Sequence, residues 1–378
     1  MNPRPWRWIP TLYFGQGLPF VAVMTLSVVM YKNLGVSNTE IALYTSWLYL
    51  PWVIKPLWSP LVELLGRKRL WIVALQFALG AALALVALAV PAPRFLQLTL
   101  AMFGLLAFAS ATHDIAADGF YLLALAPDRQ AAFVGVRSTC YRLAMIGGQG
   151  GLVALAGWWQ DSRGGAAAAW TAVFWLLAAG FGLLALYHAW ALPRPPSDRP
   201  APRAGAQGGS RVGSRVGSRV GPFWAGFGAV FAAFFAKPDI VRILAFLLLY
   251  RIAEAQLLKL LVPFLLDAPA AGGLGLKTQE VGLVYGTVGV AALTVGGLLG
   301  GWWVSRRGLD RLLWPLVACM HAPNLAYVAL AVWQPAGLWW PGAAIAVEQF
   351  GYGLGFTAYM VYMLMVAGEG AHKAAHYA

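Results

Sequence analysis

Asp114 and Asp118 are the residues best placed to do chemistry in this 378-residue chain. They stand four apart in Ser110-Ala111-Thr112-His113-Asp114-Ile115-Ala116-Ala117-Asp118, inside a long apolar run. On a helix that spacing puts both carboxylates on one face, with His113 beside them. A carboxylate is costly in an apolar layer, so such a face looks into a bundle interior or a water-filled path. The chemistry on offer is proton carriage, a common task of intramembrane carboxylates. Other polar groups lie embedded in apolar runs: Gln16, Lys55, Arg142, Gln149, Arg251, Glu254, Glu348 and Gln349. Arg251 suits an anionic ligand group, because its planar fork grips a carboxylate at two points. Gln149 and Gln349, each beside glycines, suit hydrogen bonds to a sugar or a peptide. No nucleophile motif, metal-ligand spacing or phosphate-cradling loop is present, which argues against an enzyme and against a metal or other cofactor. Cys140 and Cys319 lie far apart in separate apolar segments, so no disulfide framework is expected.

These groups need long apolar elements to position them. The chain is 60% hydrophobic and only 11% charged, where a soluble protein would carry about a quarter of its residues charged. The net charge of +13 does not point to nucleic acid, because the basic residues fall between apolar runs, as at a membrane face. Ten runs are long enough to span a bilayer: 8–31, 38–60, 70–91, 95–126, 131–158, 168–192, 240–266, 279–302, 311–334 and 338–367. The first lacks a cleavage site and reads as a spanning helix, not a signal peptide. Every other connection is basic. Arg4 and Arg7 precede the first run, Arg67-Lys68-Arg69 follow the second, and Arg129 and Arg137 flank the fourth connection. Arg194, Arg199, Arg203, Arg211, Arg215 and Arg219 crowd the sixth, and Arg306, Arg307 and Arg311 follow the eighth. This alternation predicts a multi-pass membrane protein with its N-terminus in the cytoplasm.

The sixth connection differs in kind. It is Pro-rich, then carries Ser-Arg-Val-Gly three times in tandem over 210–221, a composition that cannot bury a core and reads as a tether. Its repeats could meet anionic headgroups, though a plain basic linker is the simpler reading. The aromatic stretch 223–235 could lie along the interface. The expected division is therefore an N-terminal six-helix half over 1–192, a linker with an interfacial segment over 193–239, and a C-terminal half over 240–378. Six helices, a long linker and more helices is the plan of a two-halved transporter.

The halves echo one another. Ser59-Pro60-Leu61-Val62-Glu63-Leu64-Leu65-Gly66-Arg67-Lys68-Arg69 follows the second helix, and Gly301-Trp302-Trp303-Val304-Ser305-Arg306-Arg307-Gly308 follows the eighth. Both resemble the loop signature of the major facilitator superfamily, with Glu63 standing for the usual Asp, Leu64 for the usual Arg, and no acidic residue in the second copy. Glu63, Gly66, Arg67, Lys68, Arg69, Arg306 and Arg307 are accordingly the expected gating-loop residues. Four further stretches resemble the AmpG-type muropeptide permeases, a branch of that superfamily. They are Tyr13-Phe14-Gly15-Gln16-Gly17-Leu18-Pro19, then Leu50-Pro51-Trp52-Val53-Ile54-Lys55-Pro56-Leu57-Trp58-Ser59-Pro60, then the His113-Asp114 stretch with Tyr141-Arg142-Leu143. The fourth is Leu249-Tyr250-Arg251-Ile252-Ala253-Glu254 with Pro263-Phe264-Leu265-Leu266-Asp267. The resemblance implies proton-coupled import of anhydro-muropeptides across the bacterial inner membrane by alternating access. It carries polar family positions onto Gln16, Lys55, Asp114, Asp118, Arg142, Arg251, Glu254 and Glu348. Asp114, Asp118, Glu254 and Glu348 become the proton-coupling candidates, and Gln16, Arg142, Gln149, Arg251 and Gln349 the substrate-binding candidates. His113 stands where the family usually has Gln, and Gly119-Phe120-Tyr121 replaces a more polar continuation, so the cargo could differ while the fold does not.

Helix rise of about 1.5 Å per residue places Asp114 and Asp118 roughly 18 and 12 Å from the cytoplasmic end of the fourth helix, and Arg142 and Arg251 each roughly 16 Å into theirs. Glu348 lies roughly 15 Å into the tenth from the other side. An Asp114/Asp118–Arg142 cluster and an Arg251–Glu254–Glu348 cluster are expected, each as a working site or as a pair that fixes helix packing. Lys55 could merely snorkel, His113 could titrate or simply be hydrogen-bonded, and His321 with Asn324 reads as packing or cavity lining. The glycine clusters 147–151 and 351–355 permit close helix approach or a bend. The fold expected is an all-α polytopic bundle with about ten spanning helices of the twelve the family implies, because 369–378 would lead into an eleventh. A four-helix second half would leave one face of the cavity open to lipid. The partners expected are a glycopeptide or sugar-like small molecule, protons and the bilayer, with no nucleic acid and a monomeric chain. A sugar, a short peptide or an acyl-CoA on the same fold is the alternative cargo. A non-transporting sensor is the other class, disfavoured by the lack of room for an output domain.

Overall fold

The computed structural model describes residues 5–59, 62, 67–162, 164–196, 198 and 237–368. The tandem repeats, the 223–235 stretch, the 369–378 segment, Glu63 and Gly66 lie outside them, and with them most of the expected linker. Among the described residues every regular element is helical. With no water in a bilayer core to satisfy backbone groups, helices are what apolar runs of this length must form.

Ten helices follow in order. They are α1 (Pro5–Asn33), α2 (38–57), α3 (Lys68–Ala89), α4 (Phe95–Ala124) and α5 (127–162). After them come α6 (Ala166–Ala191), α7 (Ile240–Leu266), α8 (Thr278–Arg307), α9 (Leu309–Trp333) and α10 (Trp339–Gly368). Helices α1, α3, α4, α6, α8 and α9 are long and apolar enough on their own to cross a membrane. The second is broken, into Asn38–Trp47, Leu50–Ile54 and a 3-10 turn Lys55–Leu57. Pro51 and Pro56 each remove a backbone donor there. Ser37 starts it with a reciprocal cap: the Glu40 amide donates to Ser37 Oγ and the Ser37 amide to Glu40 Oε2, both at 3.3 Å. Between α8 and α9 stands a single residue, Gly308, at φ +76°. Only glycine takes that conformation freely, which is how two long helices meet in so short a turn.

The helix ends at 57, 124, 191 and 307 and the helix starts at 68, 127, 240 and 309 share one end of the bundle, called here the linker end. The 34–37, 90–94, 267–277 and 334–338 connections share the far end with the end of α5 and the start of α6. Trp6, Trp190 and Trp302 are exposed near the first, and Trp158, Trp333 and Trp339 near the second, the two belts expected of interfacial tryptophans. Within the first half α3 packs along α4 and α6, and α1 along α5; within the second, α10 packs along α8 and α9. The first-half core is a closely filled set of large side chains, among them Tyr31, Phe103, Trp170 and Phe174.

The halves meet through α5 and α8. Each carries a π-helical stretch, Ile146–Leu152 in α5 and Gly282–Gly289 in α8, a form that concentrates at functional places. The glycines of these stretches let backbone touch backbone. A Cβ on Gly286 would stand 2.1 Å from the Gln149 carbonyl, and one on Gly282 2.6 Å from the Ala154 nitrogen. The 351–355 glycines do the same within the second half, against Cys319, Leu293 and Met320. Close approach is therefore what both glycine clusters provide.

Candidate functional site

The two aspartates of α4 share a face but not a partner. Asp114 faces α1 and α2, where Gln16, Trp52 and Lys55 lie near enough to act on it, with no ion pair to Lys55 among the described residues. Its Oδ1 has no hydrogen-bond partner among the described residues. Asp118 takes a hydrogen bond from the Tyr13 hydroxyl at 3.2 Å and an ion pair from Arg137 at 2.6 Å. The Arg137 guanidinium lies over the rings of Tyr13 and Tyr121, 4.2 and 4.4 Å from their centroids, a cation–π arrangement that holds it in place.

Arg142 is therefore not the partner of either aspartate; it donates to Thr294 on α8 at 3.2 Å. The expected Asp114/Asp118–Arg142 cluster fails for a geometric reason. Helix α5 begins at Pro127, four residues before the expected 131, so Arg142 lies about 22 Å into it. Asp118 is only about 9 Å from the end of α4, a level nearer to Arg137 at about 15 Å. Arg137 counted in the sequence as a topology marker, and nothing there distinguished it as a partner.

His113 turns away from Asp114. It is fully buried, its Nε2 taking the Gln76 amide at 3.1 Å, while His188 Nδ1–H donates to Gln76 Oε1 at 2.9 Å. His188 Nε2 lies 2.9 Å from the Thr11 hydroxyl. The chain Thr11–His188–Gln76–His113 stitches α1, α6, α3 and α4. Its sequence signal was lone polar residues in separate apolar runs, which do not announce one another. Gly119 lies beneath the Lys68 side chain, Phe120 is buried and Tyr121 faces Arg137. The residues that depart from the family pattern therefore take part in helix packing. Gln76→Leu should cost about 1–3 kcal/mol by stranding two buried imidazoles, visible as a lower unfolding temperature in detergent; an unchanged temperature would show that the network carries no stability.

In the second half Glu254 of α7 and Glu348 of α10 are fully buried and feel one another's charge. Tyr327 and Gln349 donate to Glu348 Oε2 at 2.9 and 3.0 Å. Glu348 Oε1 and both Glu254 oxygens lack hydrogen-bond partners among the described residues. Arg251 lies close enough to act on Glu254, yet no ion pair joins them among the described residues. It donates instead to the Tyr352 hydroxyl at 3.1 Å and lies over Phe356 and Tyr359, 5.2 and 5.7 Å from their centroids. The expected cluster thus forms with a gap in it, and its cation rests on an aromatic shelf. Tyr49 is stacked with Trp52 and lies near enough to Tyr141 and to Tyr359 to act on both. Gln349 spends an N–H on Glu348 and Gln149 spends one on Thr25 at 3.1 Å. Near the α9 break, His321 Nδ1 and Asn324 Oδ1 lack partners among the described residues.

The far end is closed by polar groups. Lys32 of α1 pairs with Asp267 after α7, and Asn38 donates to the same carboxylate at 2.7 Å. Asn33 donates to Gln160 at 2.8 Å and to Thr278 at 2.5 Å. A cavity of about 220 Å³ lies in this seam, lined by Asn33, Gln160, Asp161 and Lys277 among others. Burial alone would push the Asp267 carboxyl upward, but the Lys32 and Asn38 hydrogen bonds and the Lys32 charge outweigh it and hold it below the ordinary 3.8. Because the folded value is the lower one, the clamp contributes fully above pH 3.8 and is lost as pH falls through the folded value. Unfolding temperatures measured from neutral to acid pH should show wild type losing an increment below pH 3.8 that Asp267→Asn lacks throughout; parallel profiles would show that the clamp contributes nothing.

At the linker end, Asp198 accepts from the Lys68 and Arg69 amides at 2.7 and 3.0 Å, capping α3. Arg69 in return donates to the Leu192 carbonyl at 3.2 Å and to that of Ala189, closing the end of α6. Arg306 lies over the Trp302 ring, 4.8 Å from its centroid.

The profile of the Major Facilitator Superfamily matches residues 11–377. The anhydromuropeptide permease of Escherichia coli (strain K12) is 27% identical over 370 residues, covering 95% of this chain and 67% of that one. An uncharacterised protein of Haemophilus influenzae is 26% identical over 365 residues, 93% of this chain and 78% of its own. Among solved structures, a bacterial homologue of the human lysosomal transporter Spinster, inward-facing and unoccupied, superposes with TM-score 0.67 at 18% identity, covering 99% of this chain and 78% of that one. The nucleoside transporter NupG gives 0.62 at 15% identity over 98% of this chain and 84% of its own.

Proposed function

The chain belongs to the Major Facilitator Superfamily, and on that premise we propose that this membrane transporter imports anhydro-muropeptides together with protons. The cargo rests on the likeness to the anhydromuropeptide permease and on an interior suited to it. Arg251, presented on Tyr352, Phe356 and Tyr359, suits a carboxylate of the peptide. The stacked Tyr49 and Trp52 offer flat apolar faces to a sugar ring, with Gln16 and Arg142 in reach of its hydroxyls.

The observation that carries the coupling is the Glu254–Glu348 pair, fully buried with three of its oxygens unpartnered among the described residues. A carboxylate anion in that setting is expensive, and a proton in transit removes the expense. Asp114, near Gln16, Trp52 and Lys55, is the corresponding carrier in the first half. Asp118, committed to Arg137 and Tyr13, acts in packing. The basic linker end faces the cytoplasm of the bacterial inner membrane, so the sealed far end faces outward and the conformation is inward-facing.

The test is uptake of radiolabelled anhydro-muropeptide by cells that lack their own permease and express this protein, with and without an uncoupler. Accumulation abolished by the uncoupler is the expected result. Absence of uptake by well-expressed protein would remove this cargo and bring sugars, short peptides and acyl-CoA forward.

A further inference from the structure

A second concave site lies away from the interior, at the linker end. A cavity of about 420 Å³ is lined by Arg67, Arg69, Arg194, Pro195, Pro196 and Asp198, inside the range of about 300–1,000 Å³ common for small-ligand pockets. Its charge does not balance. The Asp198 carboxylate has both oxygens committed to the Lys68 and Arg69 amides, so the α3 N-terminus is already satisfied. Arg69 is spent on the α6 carbonyls and is repelled by Arg194 and Arg67. Arg67 and Arg194 are exposed and form no ion pair among the described residues. Two guanidiniums therefore flank one hollow whose lining carboxylate, Asp198, is already taken by the two amides, and neither has an ion-pair partner among the described residues, beside the stiff wall of Pro195 and Pro196.

The position selects the ligand. Arg67 immediately precedes α3 and Arg194 follows shortly after α6 ends, so both sit where helices leave the apolar layer. Leu70, which also borders the cavity, is 56% exposed and offers an apolar flank along which an acyl chain can lie. We propose that this cavity binds the phosphate headgroup of an anionic phospholipid, with Arg67 and Arg194 gripping the phosphate and Leu70 against the first chain carbons. Basic pockets between helices at the cytoplasmic face bind acidic headgroups in this way. The joint between α3, α6 and the start of the linker thereby gains a lipid as one of its parts.

The test is native mass spectrometry of the purified protein titrated with phosphatidylglycerol, phosphatidylcholine or inorganic phosphate. Arg67→Gln/Arg194→Gln is compared with Arg306→Gln/Arg307→Gln, a basic pair of the same end without this cavity. Wild type should retain phosphatidylglycerol over phosphatidylcholine, and the cavity variant should lose about 30-fold in phosphatidylglycerol affinity with its unfolding temperature in neutral lipid unchanged. The Arg306/Arg307 variant should bind like wild type. Equal losses in both variants would overturn the proposal in favour of diffuse surface charge. Equal binding of the two lipids would overturn it outright. Inorganic phosphate that binds with the same Arg67/Arg194 dependence and displaces the lipid would make this a free-phosphate site.

Discussion

Glu348→Gln is expected to abolish proton-driven accumulation of substrate while leaving exchange of labelled for unlabelled substrate across the membrane. Glutamine imitates a glutamate that never releases its proton, keeping the hydrogen bonds from Tyr327 and Gln349 at almost unchanged volume. A carrier in that state can bind and reorient but cannot deposit a proton. Each net positive charge carried inward yields about 2.3 kcal/mol per 100 mV, so roughly 50-fold accumulation per 100 mV should fall to none. Glu254→Gln should behave alike, because the two carboxylates share one buried site. Undiminished accumulation in both variants would remove the pair from coupling and leave Asp114 as the carrier to test.

Gly286→Val is expected to cut uptake by more than about tenfold by holding the far end apart. The added Cβ would stand 2.1 Å from the carbonyl of Gln149 and 2.2 Å from the Gly150 nitrogen, and backbone cannot swing aside as a side chain can. The clash lies between the halves, so each half should still fold. With Cys140 and Cys319 replaced by serine, a cysteine at Thr278 should react faster with a membrane-impermeant thiol reagent added outside. Gly151, on α5 beside that contact, has open space around the site of a Cβ, and Gly151→Ala should transport normally. Full uptake by Gly286→Val would show that transport does not need this contact.

The ten helices were legible because each had to satisfy its backbone alone in an apolar medium. The expected 240–266 and 95–126 match Ile240–Leu266 and Phe95–Ala124 almost residue for residue. The break of α2 was not anticipated, although Pro51 and Pro56 were its visible cause. Residues with chemical potential were also legible, since a charge in an apolar run stands out. Their pairings were not. Whether Asp118 meets Arg137 or Arg142 depends on the relative sliding of two helices by about one turn, which follows from where α5 starts. The Thr11–His188–Gln76–His113 chain draws on four helices, and no local pattern joins residues so distant. Asp267 stood out in the sequence only at the end of a stretch resembling the AmpG-type permeases, and its meeting with Lys32 across the halves is tertiary.

The composition of the far-end seam sets the energetics of alternation. Beside the glycine contacts, it is joined by Lys32, Asn33, Asn38, Asp267 and Thr278, groups that water can satisfy equally well once they separate. Each such bond contributes only about 0.5–1.5 kcal/mol net, and the apolar side chains of Leu265, Val281 and Val284, buried in one core with Val29, Met30 and Ala156 of the first half, add to the closed state. A two-state equilibrium can be swung from one extreme to the other by about 5.5 kcal/mol of differential binding. The polar part of the seam is wettable, so that part of the closure reverses without stranding a buried charge.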